Sequence, residues 1–205
     1  MTNLDYSIPL TVDRAVIEVN GGCNYACEMC PQTTGRGKNW LKKINLKDFE
    51  RIVEEAAQHG LNVVNLEGSG EPTLQRNLPD YIKIVRKYNA KPFIYTNGFN
   101  LKGDFMKRCV DSGLALARFS IIGYNQLKYM QWMSKDAFNV VKQNAIEMKK
   151  YIEESKNDCI VASYHLILDN DNVDYEVEQY RKNFIDPVGS YAEIWKMHNW
   201  SGVYD

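Results

Sequence analysis

The sequence has almost no net charge and no long apolar run. Its 205 residues carry 25 basic and 26 acidic side chains, a formal net charge of -1, so it lacks the field expected of a protein that binds nucleic acid or an anionic membrane. No stretch approaches the roughly 18 consecutive apolar residues of a membrane span, and residues 1–13 contain no apolar signal-peptide core. These absences predict a cytoplasmic protein that binds neither membranes nor nucleic acid.

Proline is scarce, and the cysteines are few and unevenly placed. With 6 prolines, 13 glycines and 44% hydrophobic residues, the chain can bury a core and is not a disordered segment. Three of its 5 cysteines, Cys23, Cys27 and Cys30, lie close together on the chain. Disulfide pairing among three neighbours leaves one unpaired, so their spacing favours a metal site in a reducing compartment.

Short β-rich segments alternate with helical periods six times along the chain. Such alternation implies parallel strands with right-handed crossovers, hence an α/β fold. A closed eight-unit barrel usually needs about 250 residues, so the sequence predicts a partial, open (β/α)6 barrel. The predicted strands are Ala15–Asn20, Asn62–Glu67, Pro92–Thr96, Ala115–Ile121, Cys159–Leu168 and Tyr191–His198. The predicted helices are Leu46–His59, Leu78–Tyr88, Asp104–Ser112, Ala137–Glu154 and Val173–Phe184.

Polar and apolar side chains alternate along these strands. Strands covered by helices on both faces would be apolar on both, so the alternation predicts one face that packs helices and one that lines a cavity. The alternative is that the polar groups satisfy one another inside a filled barrel. The same two possibilities apply to His165, as a cavity residue or a satisfied core histidine. The predicted cavity residues are Glu18, Asn20, Asn65, Glu67, Tyr95, Asn97, Arg118, Ser120, Ser163 and His165.

The three neighbouring cysteines form a C-x3-C-x2-C motif directly after the first predicted strand. In parallel α/β folds, functional sites are built at this end of the strands. Iron–sulfur clusters are usually held by four cysteines, so three predict a metal centre that keeps one coordination position open. Cys109 and Cys159 fall on an apolar helix face and at the start of a strand, and we expect both to be small buried hydrophobes.

This motif, followed by Gly68-Ser69-Gly70-Glu71-Pro72 after the second strand, resembles the radical S-adenosylmethionine superfamily. Ser69 stands where a glycine is common in that family. The resemblance implies that Cys23, Cys27 and Cys30 hold three irons of a 4Fe-4S cluster, while S-adenosylmethionine chelates the fourth. It further implies a 5'-deoxyadenosyl radical that abstracts hydrogen from a substrate, and a reducing partner such as flavodoxin or ferredoxin.

The resemblance also implies contacts to S-adenosylmethionine from the loop after the second strand. Gly68 and Gly70 let the backbone approach a ligand, so that loop carbonyls, with Glu71 nearby and Pro72 closing the motif, can receive the methionine ammonium. Met29 occupies a position near the adenine.

The fourth strand supplies two further candidates. By the same resemblance, Ser120 is placed for a ribose hydroxyl. Arg118, two residues earlier on the same face, binds either a carboxylate of the ligand or substrate, or forms a structural ion pair with Glu67 or Glu18.

The end of the chain resembles the start of an extension. In radical S-adenosylmethionine maturases of the SPASM or twitch type, a similar segment to His198-Asn199-Trp200-Ser201-Gly202 often precedes further cysteines. We therefore expect residues 1–200 to form the partial-barrel domain and residues 201–205 to begin an extension that is missing or truncated.

The sequence leaves three functions open. The first is a SPASM/twitch-type radical enzyme that modifies a peptide or protein side chain. The second is a radical enzyme that acts on a small metabolite or activates a glycyl-radical enzyme. The third is a structural zinc module that uses the three cysteines with His59, His165 or His198.

Overall fold

A computed structural model describes residues 11–33 and 42–197. It contains one sheet of six parallel strands, whose order in space follows their order in the chain. The first and last strands lie at opposite edges and pair with one neighbour each among the described residues, so the barrel is open. This confirms the predicted α/β partial barrel. The strands are β1 (Arg14–Val16), β2 (Val63–Asn65), β3 (Lys91–Thr96), β4 (Leu116–Ser120), β5 (Ile160–Ile167) and β6 (Tyr191–Lys196).

Helices connect the strands on the outer side of the sheet. Asn45 caps the first helix by accepting a hydrogen bond from the amide of Asp48 at 2.9 Å. The last predicted helix ends earlier than expected, because the chain passes into a π turn at Arg181–Ile185 before a final short turn. The helices are α1 (Leu46–Ala57), α2 (Leu78–Lys87), α3 (Gly103–Asp111), α4 (Gln126–Met133), α5 (Phe138–Ser155), α6 (Val173–Tyr180) and α7 (Asp186–Val188).

Helix α4 is the element that the sequence analysis missed. Asn125 caps it by accepting from the amide of Lys128, and Ser134 ends it in a left-handed conformation with φ of 51°. Its apolar residues do not form one stripe: Tyr129 is fully buried, whereas Leu127 is 67% exposed. Without a single apolar face, the helical period is not visible in the sequence.

The hydrophobic core lies between the sheet and the helices. Val64, Ile94 and Phe119 are fully buried on the outer face of their strands, and Val53 and Met148 are fully buried on the helices. Each buried side chain of this size contributes about 1.5–3 kcal/mol relative to exposure. The predicted packing face is therefore correct for the first four strands.

On β5 the predicted faces are reversed. Arg118 pairs with Ala162 and Ser120 with Tyr164, so these β5 residues face the lumen, the concave side of the barrel. Ser163 and His165 instead point to the helices and are fully buried. A shift of one residue moves every side chain of a strand to the opposite face. The polarity of a side chain does not show which face it lies on when it has hydrogen-bond partners in the core.

His165 is satisfied within the core. Its Nε2 lies 2.8 Å from Glu176 Oε1, its Nδ1 lies 2.8 Å from the carbonyl oxygen of Ile121, and its ring stacks on Tyr180. Of the two interpretations, the core histidine is the correct one. No described helix is long and apolar enough to cross a membrane.

Candidate active site at the carboxyl ends of the strands

The cysteine loop follows β1 and is braced by its own hydrogen bonds. Gln32 Nε2 donates to the carbonyl of Gly21 at 2.7 Å, and Thr33 Oγ1 donates to the carbonyl of Cys27 at 2.8 Å. Cys23 is exposed, whereas Cys27 and Cys30 are half-buried. The loop thus presents three free thiols at the rim of the sheet.

Helix α4 packs against this loop and forms a hydrogen bond with it. The amide of Glu28 donates to the carbonyl of Trp132 at 2.9 Å, and the Sγ of Cys27 lies 3.7 Å from the sulfur of Met133. Burial raises the pKa of the Cys27 thiol to about 12, and the neighbouring Cys23 and Cys30 add to the effect. Metal binding would remove that proton, because thiols bind metals as thiolates.

The three thiols are candidate ligands for an iron–sulfur cluster or for a single ion. Within residues 11–33 and 42–197, no three His, Cys, Asp or Glu side chains are grouped so as to hold one metal ion. Each cysteine of an iron–sulfur cluster binds a different iron, so the thiols need not converge on one point, whereas tetrahedral zinc requires convergence. Of the histidines proposed as a fourth zinc ligand, His165 bonds Glu176 in the core, and His198 lies outside the described residues.

The loop after β2 packs directly on the cysteine loop. A Cβ added at Gly70 would lie within 2.7 Å of the carbonyl oxygen of Gly22, and one added at Gly68 would collide with the side chain of Glu18. The carboxylate of Glu18 in turn accepts hydrogen bonds from the amides of Ser69 and Gly70. The missing side chains therefore also let this loop pack closely against the cysteine loop.

Glu71 joins the loops that follow β2 and β3. Its buried carboxylate accepts hydrogen bonds from the amide and hydroxyl of Thr73, the hydroxyl of Thr96 and the amide of Asn97, at 2.6 to 3.0 Å. Three of these donors reach Oε1, and the amide of Asn97 reaches Oε2. The Glu71 side chain is buried and held by protein donors, and Pro72 is buried at the start of a 3-10 turn.

Main-chain groups of Glu71 also hold the cysteine loop. Its amide donates to the carbonyl of Gly22 at 2.8 Å, and its carbonyl accepts from Asn20 Nδ2 at 3.0 Å. A further bond, from Asn97 Nδ2 to Asn24 Oδ1 at 2.8 Å, connects the end of β3 to the same loop. Asn20 and Asn97 thus form hydrogen bonds between the loops and do not line the apolar cavity.

An apolar cavity of about 160 Å³ adjoins the cysteine loop. It brings together four predicted site residues, Cys27, Cys30, Met29 and Ser120, with residues that the sequence analysis did not place there. Cys23, the Gly68–Pro72 loop and Arg118 lie outside its lining. The full lining is Cys27, Met29, Cys30, Pro31, Ser120, Ile122, Met133, Tyr164 and Leu166.

The lumen toward the amino ends of the strands is polar. Asn65 accepts from Arg14 Nη1 at 3.2 Å and donates to Glu67 Oε1 at 2.9 Å and to the hydroxyl of Tyr95 at 3.4 Å. Burial raises the pKa of Glu67, and the nearby guanidinium groups of Arg118 and Arg14 lower it in part. These polar side chains therefore bond one another below the apolar cavity next to the cysteines, which supports the filled-barrel interpretation for Asn65, Glu67 and Tyr95.

Arg118 crosses this polar lumen. Its Nη1 donates to Glu193 Oε2 at 2.7 Å, and its guanidinium lies 3.6 Å from the ring centre of Tyr95 and 4.8 Å from that of Tyr164. The expected ion pair is thus made with Glu193 of β6, and not with Glu67 or Glu18. The sequence could not identify this partner, because it depends on how β6 lies against β5.

The chain is thus an open barrel of parallel strands with a cysteine loop after its first strand. Residues 17–180 match the family model of the Radical SAM superfamily, which is most of the chain. The chain therefore belongs to this superfamily, whose members use a 4Fe-4S cluster and S-adenosylmethionine.

Curated relatives agree in sequence over part of their length. The chain is 28% identical over 142 residues to a probable GTP 3',8-cyclase of Thermococcus kodakarensis, covering 68% of this chain and 45% of that protein. It is 26% identical over 178 residues to GTP 3',8-cyclase of Helicobacter pylori, covering 84% of this chain and 53% of that protein. The chain therefore spans about half the length of these relatives.

A solved structure supports the fold. SuiB of Streptococcus suis, bound to the precursor peptide SuiA, superposes with a TM-score of 0.75 over 95% of this chain and 41% of that chain. The sequence identity is 15%, so this likeness concerns the fold alone.

Proposed function

We propose that this chain binds a 4Fe-4S cluster through Cys23, Cys27 and Cys30, binds S-adenosylmethionine with its adenosyl part in the adjoining cavity, and abstracts hydrogen from a substrate held in the lumen. When bound, these cofactors supply the one-electron chemistry that breaks an unactivated C–H bond. The observation that carries the proposal is the apolar cavity, which is lined by Cys27 and Cys30 together with Ser120.

The side chains of the cavity have separate tasks in this proposal. The apolar groups of Met29, Ile122 and Leu166 pack against the adenine and exclude water, which protects a reactive species from side reactions. Ser120 hydrogen-bonds a ribose hydroxyl. The main chain of the Gly68–Gly70 loop, held by Glu18, receives the methionine ammonium.

For the substrate, we propose first a peptide or protein side chain, or an amino-acid-like molecule. The polar lumen supports this choice, because it offers both acidic and basic groups at short range: Glu67, Glu193, Arg14 and Arg118. A nucleotide is the second candidate, since both sequence relatives are named GTP 3',8-cyclases. An activase of a glycyl-radical enzyme has no feature in the described residues that favours it.

The proposal includes a reducing partner and a reducing compartment. The cluster needs an external one-electron donor, for which flavodoxin or ferredoxin is the natural class. All five cysteines of the chain are free thiols, as is typical of proteins in the cytoplasm. The near-zero net charge supports the absence of nucleic acid among the partners.

Anaerobic reconstitution tests the cluster. We expect about four irons and four sulfides per chain. Cys27→Ala should lose the brown colour and most of the iron, whereas Cys109→Ala, at a fully buried thiol on α3, should retain both. A colourless protein with one tightly bound zinc would overturn the proposal in favour of a metal module.

Product analysis tests the chemistry. With dithionite as reductant, the reconstituted wild-type protein should convert S-adenosylmethionine into 5'-deoxyadenosine and methionine. A protein with a full cluster that forms neither product would contradict the proposed function, and the same preparation without reductant provides the blank.

A further inference from the structure

We infer that Arg118 binds a carboxylate group of the substrate, side-on, in the polar lumen below the cavity. This inference rests on the proposed function, because it assigns the substrate's anchor within that site. It goes further in naming both the residue and the chemical group it recognises.

The first argument is the incomplete bonding of the guanidinium. Its only hydrogen bond within the described residues runs from Nη1 to Glu193, and its Nε is buried without any partner. A buried donor without an acceptor is unfavourable, so it indicates an acceptor that is supplied from outside the protein. Nε and Nη2 lie on the same side of a guanidinium and together form one of its two bidentate faces. That face matches the two oxygens of a carboxylate.

The second argument is that the guanidinium is held in place. Tyr95 and Tyr164 lie 3.6 and 4.8 Å from it, measured to their ring centres, so two aromatic contacts and an ion pair hold the group. A guanidinium fixed in this way loses little freedom when it binds a planar anion. Such fixation is expected of a binding group and is unnecessary for a solvated surface arginine.

The third argument is position. Arg118 lies two residues before Ser120 on β4, about 6.6 Å deeper in the lumen at the usual rise per strand residue. Ser120 and Tyr164 line the cavity beside the cysteines, and Tyr164 also contacts Arg118. A molecule anchored at Arg118 would therefore extend toward the cavity, where the reactive group is formed.

The fourth argument is charge, and it separates a carboxylate from a polyphosphate. Among the described residues, the charged groups that the hydrogen bonds above place in this part of the barrel are two guanidiniums, Arg14 and Arg118, and three carboxylates, Glu18, Glu67 and Glu193. The balance is slightly acidic, and Glu193 already neutralises part of Arg118. Net repulsion grows with the charge of the ligand, so a singly charged carboxylate is opposed far less than a triphosphate.

The test follows the Nε–H group of Arg118 directly. The protein is labelled with 15N-arginine, and the Arg118 side-chain signal is assigned as the one absent from Arg118→Lys. The probe is N-acetylglycine, a minimal carboxylate, with its neutral amide N-acetylglycinamide and inorganic phosphate as the other arms. We expect N-acetylglycine alone to shift this signal saturably, and the amide to leave it unchanged.

Two variants sharpen the result. Glu193→Gln removes the competing carboxylate and should lower the Kd of N-acetylglycine by about fivefold or more. Arg118→Lys keeps the charge but loses the bidentate face, and should raise that Kd, measured calorimetrically, by about tenfold. Arg108→Lys, on the outer surface at α3, is the matched control and should bind as the wild type does.

The outcomes separate this inference from the proposed function. No shift with N-acetylglycine, an equal shift with its amide, or a stronger response to phosphate would overturn the carboxylate assignment. Cleavage of S-adenosylmethionine is measured on the same wild-type preparation. Cleavage without carboxylate binding refutes only the inference, and carboxylate binding without cleavage refutes only the proposed chemistry.

Discussion

Replacing Glu71 with alanine should loosen the loops that shape the site, before it affects any ligand. In the wild-type protein the buried carboxylate accepts from the amides of Thr73 and Asn97 and from two threonine hydroxyls. The variant leaves both amides buried without an acceptor. The hydroxyls can rotate toward other acceptors, so the amides determine the magnitude.

The size of the effect follows from these two amides. Each buried N–H left unpaired costs about 1–3 kcal/mol, so Glu71→Ala should lower the free energy of unfolding by about 2–6 kcal/mol. This is a large part of the roughly 5–15 kcal/mol that stabilises a typical domain. Because Glu71 also holds the cysteine loop through its main chain, iron content after reconstitution should fall as well.

Urea unfolding of the metal-free protein, followed by circular dichroism, measures the effect. Glu67→Ala is the matched control, since Glu67 is half-buried and accepts one hydrogen bond, from Asn65. It should change the free energy of unfolding by less than about 1 kcal/mol. If Glu71→Ala unfolds like the wild type, keeps its iron and loses only S-adenosylmethionine binding, the carboxylate acts on the ligand and our reasoning is wrong.

Three further variants test other parts of the structure. Glu67→Gln should stabilise the protein relative to wild type increasingly as pH rises above about 4.3, because burial raises the folded-state pKa of Glu67 and its ionisation opposes folding. Urea unfolding of both proteins at pH 4 and pH 7 measures this. An equal difference in free energy of unfolding between variant and wild type at the two pH values would contradict it. Glu176→Ala should cost about 3–5 kcal/mol, because it strips His165 and two amides of their acceptor; a loss below about 1 kcal/mol in the same assay would contradict the buried network. Gly70→Ala should cost about 1–3 kcal/mol and lower the iron content, because the added methyl meets the cysteine loop; Gly60→Ala, with open space around its Cβ, serves as the comparison for backbone strain.

Several features of the fold were predictable from the sequence because they depend on neighbouring residues. The alternation of strands and helices appears in local periodicity, and each predicted strand overlaps the observed one. The C-x3-C-x2-C motif sets three thiols on one loop by covalent spacing alone. The cap at Asn45 and the buried thiols of Cys109 and Cys159 likewise follow from local pattern.

Helix α4 shows where local pattern was insufficient. Its residues divide their contacts between the core, the cysteine loop and solvent, so no periodic apolar stripe marks it. The contact of α4 with Cys27 is therefore visible only in the three-dimensional structure.

The remaining features were decided by tertiary structure, because they join residues far apart in the chain. The faces of β5 depend on its register against β4, and a single-residue shift reverses them without changing the composition of the strand. Arg118 finds Glu193 only because β6 lies beside β5. Glu71 is a buried anchor only because donors from two loops reach its carboxylate. The architecture and the cysteine loop thus follow from local sequence pattern, whereas strand register and loop packing set which polar groups bond within the protein and which can bind a ligand.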